Sequence, residues 1–263
     1  MINHILVGLG GTGGKILREF KMRMFEEYPD VNDRMKIPVA LLYVDTTREM
    51  MGLGREDFNV LGQDAGFAEN EFLNVKSIDV TKIIDEIDNY PKLRGIVDNV
   101  KGVRSAIGNL GEAAGQKRRA GRLLFAVNAD RYVMALQDAY SRCHAANASG
   151  EATKTVHIFA GLSGGTGSGS IIDAVAQARK LWNDAKILVY AMLPERDLPK
   201  PDMDKGRYYP NAYAAMRELN ALQVGKFQPY DVTGDGEPLD YLSMKPSAKG
   251  VADGISVYSN LNE

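Results

Sequence analysis

Residues 161–169 read GLSGGTGSG, a glycine-rich segment that follows the apolar run HIFA at residues 157–160. A second such segment, GLGGTGG at residues 8–14, follows an apolar N-terminal run in the same way. A glycine-rich turn between a strand and a helix brings backbone N–H groups close to an anion, at the positive end of the helix dipole. Either turn alone is compatible with a simple tight turn. Two of them in one sheet predict a polyphosphate ligand, because such a ligand needs donors from different sides.

Strand-like and helix-like segments alternate along the chain. Predicted strands cover residues 1–9, 39–44, 157–160, 186–193 and 255–259, and predicted helices cover residues 15–28, 80–89, 116–146, 170–182 and 211–224. This alternation is typical of a mainly parallel sheet with helices on both faces. We predict one α/β domain over residues 1–263, a three-layer, Rossmann-like fold whose ligand lies at the carboxyl ends of the strands. Residues 51–74 resemble an irregular insert and receive no predicted role.

The composition is that of an ordinary globular protein, and it excludes several classes. Of 263 residues, 44% are hydrophobic and 25% charged, and 32 basic side chains stand against 34 acidic ones, a balance that argues against a general nucleic-acid binder. The single cysteine, Cys143, excludes an internal disulfide framework and fits a reducing cytoplasm. One Cys and three His leave no paired zinc-ligand spacing. The sequence shows no signal peptide and no apolar run of membrane-spanning length, so we expect no membrane partner.

The first glycine-rich segment fits two other nucleotide-binding patterns when it is taken alone. Residues 8–13 match the G-x-G-x-x-G fingerprint of dinucleotide-binding folds, with Asp45 as a candidate ribose-binding acid. Residues 9–16 nearly match the Walker pattern, but Leu9 replaces its first glycine and Ile16 replaces its magnesium-binding hydroxyl. An enzyme that binds NAD or FAD therefore stays open as a hypothesis, although it leaves the second segment unexplained.

The second segment also contains G-x-S-x-G, the nucleophile elbow of serine hydrolases, with Ser163 as its serine. That fold places its base histidine after the serine along the chain. His4, His144 and His157 all precede Ser163, so the sequence argues against a hydrolase.

The run SGGTGSG at residues 163–169 resembles, position for position, the signature loop of the tubulin and FtsZ family, which wraps the phosphates of GTP. Other segments resemble the remaining nucleotide loops of that family, in the same order along the chain. The resemblance implies that GTP or GDP contacts Gly10, Gly11, Thr12, Gly13, Asp45, Thr46, Gly115, Gln116, Ser163, Gly164, Gly165, Thr166, Gly167, Ser168, Asn211 and Asn262.

Three of these residues receive specific roles from the resemblance. Asn211 and Asn262 match the asparagines that recognise guanine, and an asparagine amide offers a donor and an acceptor together. Asp45 matches the acidic loop near the γ-phosphate, and its carboxylate is a suitable oxygen ligand for Mg²⁺. The residues alone also allow Asn211 to be a helix cap, Asp45 to be a turn acid and Asn262 to be a disordered terminal residue. The basic residues at 117–122 are either a solvated helix face or phosphate contacts.

The sequence departs from the family pattern in two respects. Thr47 stands where tubulins have a second acid, and Gln116 and Lys117 stand where tubulins have asparagines. The family hydrolyses GTP when an acidic N-x-D-x-x-D loop of the next subunit reaches the nucleotide, and residues 1–263 contain no such loop at the expected place. We therefore expect a nucleotide-binding portion of a longer protein, one that binds guanine nucleotide but barely hydrolyses it alone.

The resemblance is greatest to divergent prokaryotic tubulin-like proteins. It implies a cytoplasmic, cytoskeletal or assembly-forming GTPase that associates head to tail and has no nucleic-acid partner. Two other hypotheses stay open: a Rossmann-type NAD or FAD enzyme, and a tubulin-like scaffold without useful nucleotide affinity.

Overall fold

The computed structural model describes residues 2–48, 51, 56–76, 80–97, 99–107, 116–145, 153–195, 206–240, 244 and 250–259. Its strands are β1 (Ile2–Leu9), β2 (Val39–Asp45), β3 (Asn59–Val60), β4 (Gln63–Asp64), β5 (Phe72–Asn74), β6 (Thr153–Gly161), β7 (Lys186–Met192) and β8 (Gly254–Tyr258). Its α-helices are α1 (Gly10–Glu27), α2 (Val31–Arg34), α3 (Val80–Asp85), α4 (Val100–Ile107), α5 (Arg118–Val127), α6 (Ala129–Ala145), α7 (Thr166–Leu181) and α8 (Tyr208–Gln223). Short 3₁₀ turns cover Glu56–Phe58, Glu69–Glu71, Ile87–Asn89 and Pro91–Leu93.

Within the described residues, six strands form one sheet in the order β5-β2-β1-β6-β7-β8, and every neighbouring pair is parallel. Successive side chains of a strand point to opposite faces of the sheet. Ile5 and Val7 therefore join the main core with α6, α7 and α8, whereas Leu6 packs on the other face with Leu17 of α1. The predicted α/β fold, a parallel sheet with helices on both faces, is confirmed.

Helices α1 and α7 begin earlier than the sequence pattern predicts. The predicted helices start at Lys15 and Ser170, whereas α1 starts at Gly10 and α7 at Thr166. Several of the glycines therefore form the first helical turns instead of a separate loop. The backbone N–H groups of these turns are those that a helix leaves without an internal acceptor.

The predicted single helix over residues 116–146 is wrong, because the structure contains two helices with a break at Asn128. The Asn128 side chain is buried and donates from Nδ2 to the carbonyl oxygens of Leu124 and Val75. An asparagine that bonds nearby backbone groups in this way competes with the regular helical pattern.

The described part of the insert, residue 51 and residues 56–74, packs on the α1 side of the sheet and supplies its edge strand, β5. Lys21 of α1 is 7% exposed, and its ammonium donates to the carbonyl oxygen of Gly66 at 2.7 Å and to Glu71 Oε2 at 2.5 Å. These bonds tie the insert to α1. The insert thus has a structural role that its sequence did not indicate.

A ladder of ring side chains crosses β1, β6, β7 and β8. His4 Nδ1 lies 3.0 Å from His157 Nε2, and His157 Nδ1 lies 3.1 Å from the Tyr190 hydroxyl. Burial is the main cause that lowers the pKa of His157, to about 4. The imidazole of His157 is therefore neutral near pH 7.

In the described part of the chain, no helix has the length and apolar character needed to cross a membrane.

Candidate functional site

Two helix N-termini meet at the carboxyl edge of the sheet. β1 and β6 are neighbours, with Leu9 paired to Ala160, so α1 and α7 start side by side. Their N-cap residues, Leu9 and Gly165, make no side-chain capping bond, and neither first turn contains an acidic residue in these described helices. The first backbone N–H groups and the positive dipole ends are thus available to an anion.

Glycine is required where the two segments touch. Gly10 has a φ of +68°, and a Cβ there would lie 2.8 Å from the Gly167 nitrogen. A Cβ on Gly167 would in turn lie 2.7 Å from the Leu9 carbonyl oxygen. Around Gly11 and Gly164, by contrast, none of the described atoms lies within 4 Å of the Cβ position. Gly10 and Gly167 thus allow the two backbones to approach each other, whereas Gly11 and Gly164 leave open space beside them.

A cavity of about 350 Å³ lies beside these helix starts. Its polar lining side chains are Thr12, Lys15, Gln116, Ser163 and Glu195. Its apolar and aromatic lining side chains are Ile16, Leu162, Met192, Leu193 and Tyr208. Of these residues, the sequence had indicated Thr12, Gln116 and Ser163 as nucleotide contacts. The apolar lining residues come from separate segments of the chain.

Two buried polar atoms of the cavity residues lack a partner. Ser163 Oγ and Gln116 Oε1 are buried, and neither forms a hydrogen bond within the described structure. Buried polar side-chain atoms normally have a hydrogen-bond partner, so these two atoms leave hydrogen-bonding capacity unused beside the cavity. Among the described residues, no side chain forms a hydrogen bond with Ser163 Oγ, which also argues against the serine-hydrolase interpretation.

Asp45 is held in place at the end of β2. It is 5% exposed; its Oδ2 accepts a bond from the Tyr43 hydroxyl at 2.7 Å, and its Oδ1 accepts one from the Thr46 nitrogen at 2.7 Å. The Thr46 hydroxyl lies 3.5 Å from that of Thr166, which places this turn beside the start of α7. Tyr43 was not among the predicted site residues, although a residue two positions before Asp45 shares its strand face.

The described residues contain no group of three or more His, Cys, Asp or Glu side chains that could hold a metal ion. A cation bound only by protein ligands is therefore not supported there. Mg²⁺ usually keeps several waters and needs one or two carboxylates together with phosphate oxygens. Asp45 fits that second kind of site as a single carboxylate.

Asn211 connects two of the loops. The helix that carries it begins at Tyr208, after the N-cap Arg207, so the alternative that Asn211 caps the helix is wrong. Its Nδ2 donates to the carbonyl oxygens of Gln116, at 2.8 Å, and Ser163, at 2.9 Å. The amide therefore lies beside the cavity and holds its walls together.

Two arginines of α5, Arg118 and Arg122, bind polar side chains of α7. Arg118 donates from Nε to Ser168 Oγ at 2.7 Å and pairs with Glu218 at 2.6 Å. Arg122 pairs at 2.8 Å with Asp173, whose side chain is completely buried. These two side chains are 15% and 21% exposed, so the alternative of a solvated helix face is wrong for them.

Most of the predicted contact residues lie together at this edge of the sheet. They are Gly10, Gly11, Thr12, Gly13, Asp45, Thr46, Gln116, Ser163, Gly164, Gly165, Thr166, Gly167, Ser168 and Asn211. The remaining two, Gly115 and Asn262, lie outside the described residues.

Fold and site together define a Rossmann-like α/β protein with a candidate phosphate site at the carboxyl edge of its sheet. A family model described as "Tubulin like" matches residues 5–251. The chain belongs to this tubulin-like family, as the resemblance of its glycine-rich segments predicted.

Two matches were found among solved structures, and the first is similar in fold. CetZ from Methanosaeta thermophila strain DSM 6194 has a TM-score of 0.53 and 17% identity, over 99% of this chain and 46% of the CetZ chain. CetZ2 from Haloferax volcanii, solved as a GTPγS-bound protofilament, has a TM-score of 0.47 and 17% identity, over 82% of this chain and 45% of its own. This chain thus spans less than half the length of either protein. None of the curated proteins matches it.

Proposed function

We propose that this chain binds GTP or GDP as the nucleotide-binding domain of a tubulin-like protein. The observation that carries the proposal is the meeting of two uncapped helix N-termini, those of α1 and α7, beside a cavity of about 350 Å³. Membership of the tubulin-like family supports it. A simple tight turn would not require both helices to start without a cap at the same edge.

The phosphates would occupy the space in front of Gly11 and Gly164. In the proposal, the backbone N–H groups of residues 10–13 and 163–168 bind the phosphate oxygens, because these groups start the two helices. The unpartnered Ser163 hydroxyl and the Thr12 hydroxyl would add side-chain donors. Ser168 has a positioning role, since Arg118 and the Asn211 carbonyl already contact its hydroxyl.

The base would contact the apolar and aromatic part of the cavity lining, which includes Ile16, Met192 and Tyr208. The preference for guanine rests on the family resemblance of Asn211 and Asn262. Asn211 Nδ2 is used by two backbone carbonyls, which leaves Oδ1 as the acceptor for the guanine amino group.

Mg²⁺ would neutralise charge on the β- and γ-phosphates when it is bound. Asp45 and the Thr46 hydroxyl are the residues that would hold it, through its waters. The Tyr43 hydroxyl keeps the Asp45 carboxylate oriented before any ion arrives.

Assembly and hydrolysis belong to the same proposal at the level of the whole protein. A neighbouring subunit of the whole protein would supply the acidic loop that positions the attacking water, as membership of the tubulin-like family suggests. Phosphoryl transfer depends mainly on positioning and charge stabilisation, so a cradle without that loop binds nucleotide but turns it over slowly. We expect negligible GTP hydrolysis by this chain alone; a clear rate that is independent of protein concentration would contradict this part.

The test is a competition experiment with labelled GTP and Mg²⁺, using unlabelled GTP, GDP, ATP and NAD as competitors. We expect displacement by GTP and GDP only. Displacement by ATP would refute the guanine assignment of Asn211, and displacement by NAD would favour the dinucleotide-enzyme hypothesis. Failure of labelled GTP to bind would favour the scaffold hypothesis and contradict the proposal.

A further inference from the structure

A second cavity, of about 310 Å³, lies between α5, α7 and α8. It shares no lining residue with the cavity of the proposed nucleotide site. Gly169 of α7 forms part of its wall, and Gly95 and Ile96 close it from another segment. Its volume is at the lower end of the range of small-molecule pockets.

The lining of this cavity carries an excess of positive charge. Arg118, Arg119 and Arg122 all line it, whereas Glu218 is the single acidic residue among the lining residues that the structure describes. A second carboxylate, that of Asp173, pairs with Arg122 from α7. Three guanidinium groups thus share two carboxylates.

Of the three lining arginines, Arg119 is the one without a carboxylate partner among the described residues. Arg118 pairs with Glu218, and Arg122 pairs with Asp173. No carboxylate in the described ranges pairs with Arg119. Its guanidinium is exposed and presents a planar set of N–H donors that suits a carboxylate or phosphoryl group.

The rest of the lining is apolar or aromatic. Phe227 and Tyr230 line the cavity with Ile96 and Val103, and the Arg122 guanidinium carbon lies 5.9 Å from the centre of the Phe227 ring. A hydrated inorganic ion would leave these surfaces without a partner. A molecule with a flat apolar body would cover them and place its anionic group beside the arginines.

We propose that this cavity is a second binding site, which takes a small organic anion with a carboxylate or phosphoryl group on an aromatic or apolar body. The excess cation Arg119 and the aromatic pair Phe227 and Tyr230 specify the two halves of that ligand. The site adjoins the proposed nucleotide loop, because Arg118 contacts both the cavity and Ser168.

The test is calorimetric titration of the whole chain with phenyl phosphate and with phthalate. These probes share a ring and differ in the anion, so the comparison distinguishes a phosphoryl ligand from a carboxylate ligand. We expect at least one to bind at millimolar concentration. Arg119→Gln should weaken that binding about tenfold, because a hydrogen bond to a charged group is lost.

Three variants control the experiment. Arg217→Gln removes the same charge from an exposed position of α8 outside the cavity lining, and it should leave binding within about twofold, since exposed charges are screened. Gly164→Val fills the first cavity instead and should also leave binding unchanged. Glu218→Gln removes the lining carboxylate and should strengthen binding.

Four results would overturn the proposal: no binding of either probe, equal binding by Arg119→Gln and the wild type, an equal loss in Arg217→Gln, or loss of binding in Gly164→Val. The last result would place the anion in the first cavity. The GTP competition experiment is independent of all four, so either proposal can fail alone.

Discussion

Gly164 and Gly167 belong to one glycine-rich segment but have different surroundings. A Cβ on Gly164 would meet open space in the first cavity, so Gly164→Val should fold normally. Its methyl groups would occupy the proposed phosphate position and lower the affinity for GTP at least about tenfold, because steric exclusion would prevent hydrogen bonds to the phosphate. GTP binding and the midpoint of thermal unfolding should be measured together; undiminished GTP affinity would contradict the proposed site.

Gly167→Ala is the matched comparison, because its added Cβ would lie 2.7 Å from the Leu9 carbonyl oxygen. That overlap should cost about 1–3 kcal/mol of stability, as overpacking does elsewhere. The sequence identified the segment that contains both glycines. It could not show which glycine lies against backbone atoms and which lines the first cavity, since that depends on a strand more than a hundred positions away in the chain.

Tyr43→Phe removes the hydroxyl that donates to Asp45. Both residues are buried, so the carboxylate would lose a partner that water does not readily replace. We expect a loss of about 1–3 kcal/mol in the free energy of unfolding, and a weaker effect of Mg²⁺ on GTP binding.

Tyr132→Phe is the control for this change. Tyr132 is equally buried, but its hydroxyl makes only a long bond of 3.4 Å to the Ala174 carbonyl oxygen. Tyr132→Phe should lower the free energy of unfolding by clearly less than Tyr43→Phe does. It should not alter the Mg²⁺ dependence of GTP binding. Equal losses in the two variants would show that the Tyr43 hydroxyl has no special role at Asp45.

At the scale of elements, the ion pair of Arg122 and Asp173 joins α5 to α7. Arg122→Met would leave the completely buried Asp173 carboxylate without its partner, which should cost about 3–5 kcal/mol of stability. Adding Asp173→Leu should restore most of that loss. Chemical unfolding measures the free energy of unfolding of the single variant and of the double variant.

Arg23→Met, on α1, provides the comparison, because Arg23 and Glu26 form an exposed pair with side chains 75% and 45% accessible. An exposed pair of this kind contributes below about 1 kcal/mol. If Arg122→Met were no more destabilising than Arg23→Met, the pair would not connect the helices energetically.

Elements with strong local patterns were predicted well, and short ones were not. The predicted strands all occur, because continuous apolar runs bounded by glycine or charged residues mark buried strands. Strand β5 and helix α4 were missed. The three residues of β5 are too few for a periodic signal, and pairing with β2 makes them a strand.

At the scale of the whole molecule, stability should fall in mild acid because of His157. Its pKa in the folded chain is about 4, below the ordinary 6.5, because burial disfavours the charged ring; His4 and Lys186 add smaller effects. The unfolded chain therefore binds the proton more tightly. The stabilising effect is fully present above the unfolded value and is lost as the pH falls from 6.5 towards 4.

His157→Gln should make unfolding less dependent on pH. Between about pH 7 and pH 5, the variant should lose about 1 kcal/mol less than the wild type, a figure reduced for the partial exposure of the ring. Urea unfolding at the two pH values measures the difference. Equal losses in the two proteins would mean that other groups, such as carboxylates, cause the acid sensitivity.

The α/β class, the positions of the main strands and the family could all be predicted from the sequence, because alternating apolar segments and the run at residues 163–169 are local signals. Three features appear only in the folded chain: α1 and α7 start side by side without caps, Tyr43 holds Asp45, and three arginines line a second cavity. These features depend on which strands become neighbours and on how the helices pack across the sheet. Such contacts join residues far apart in the chain, and no local pattern encodes them.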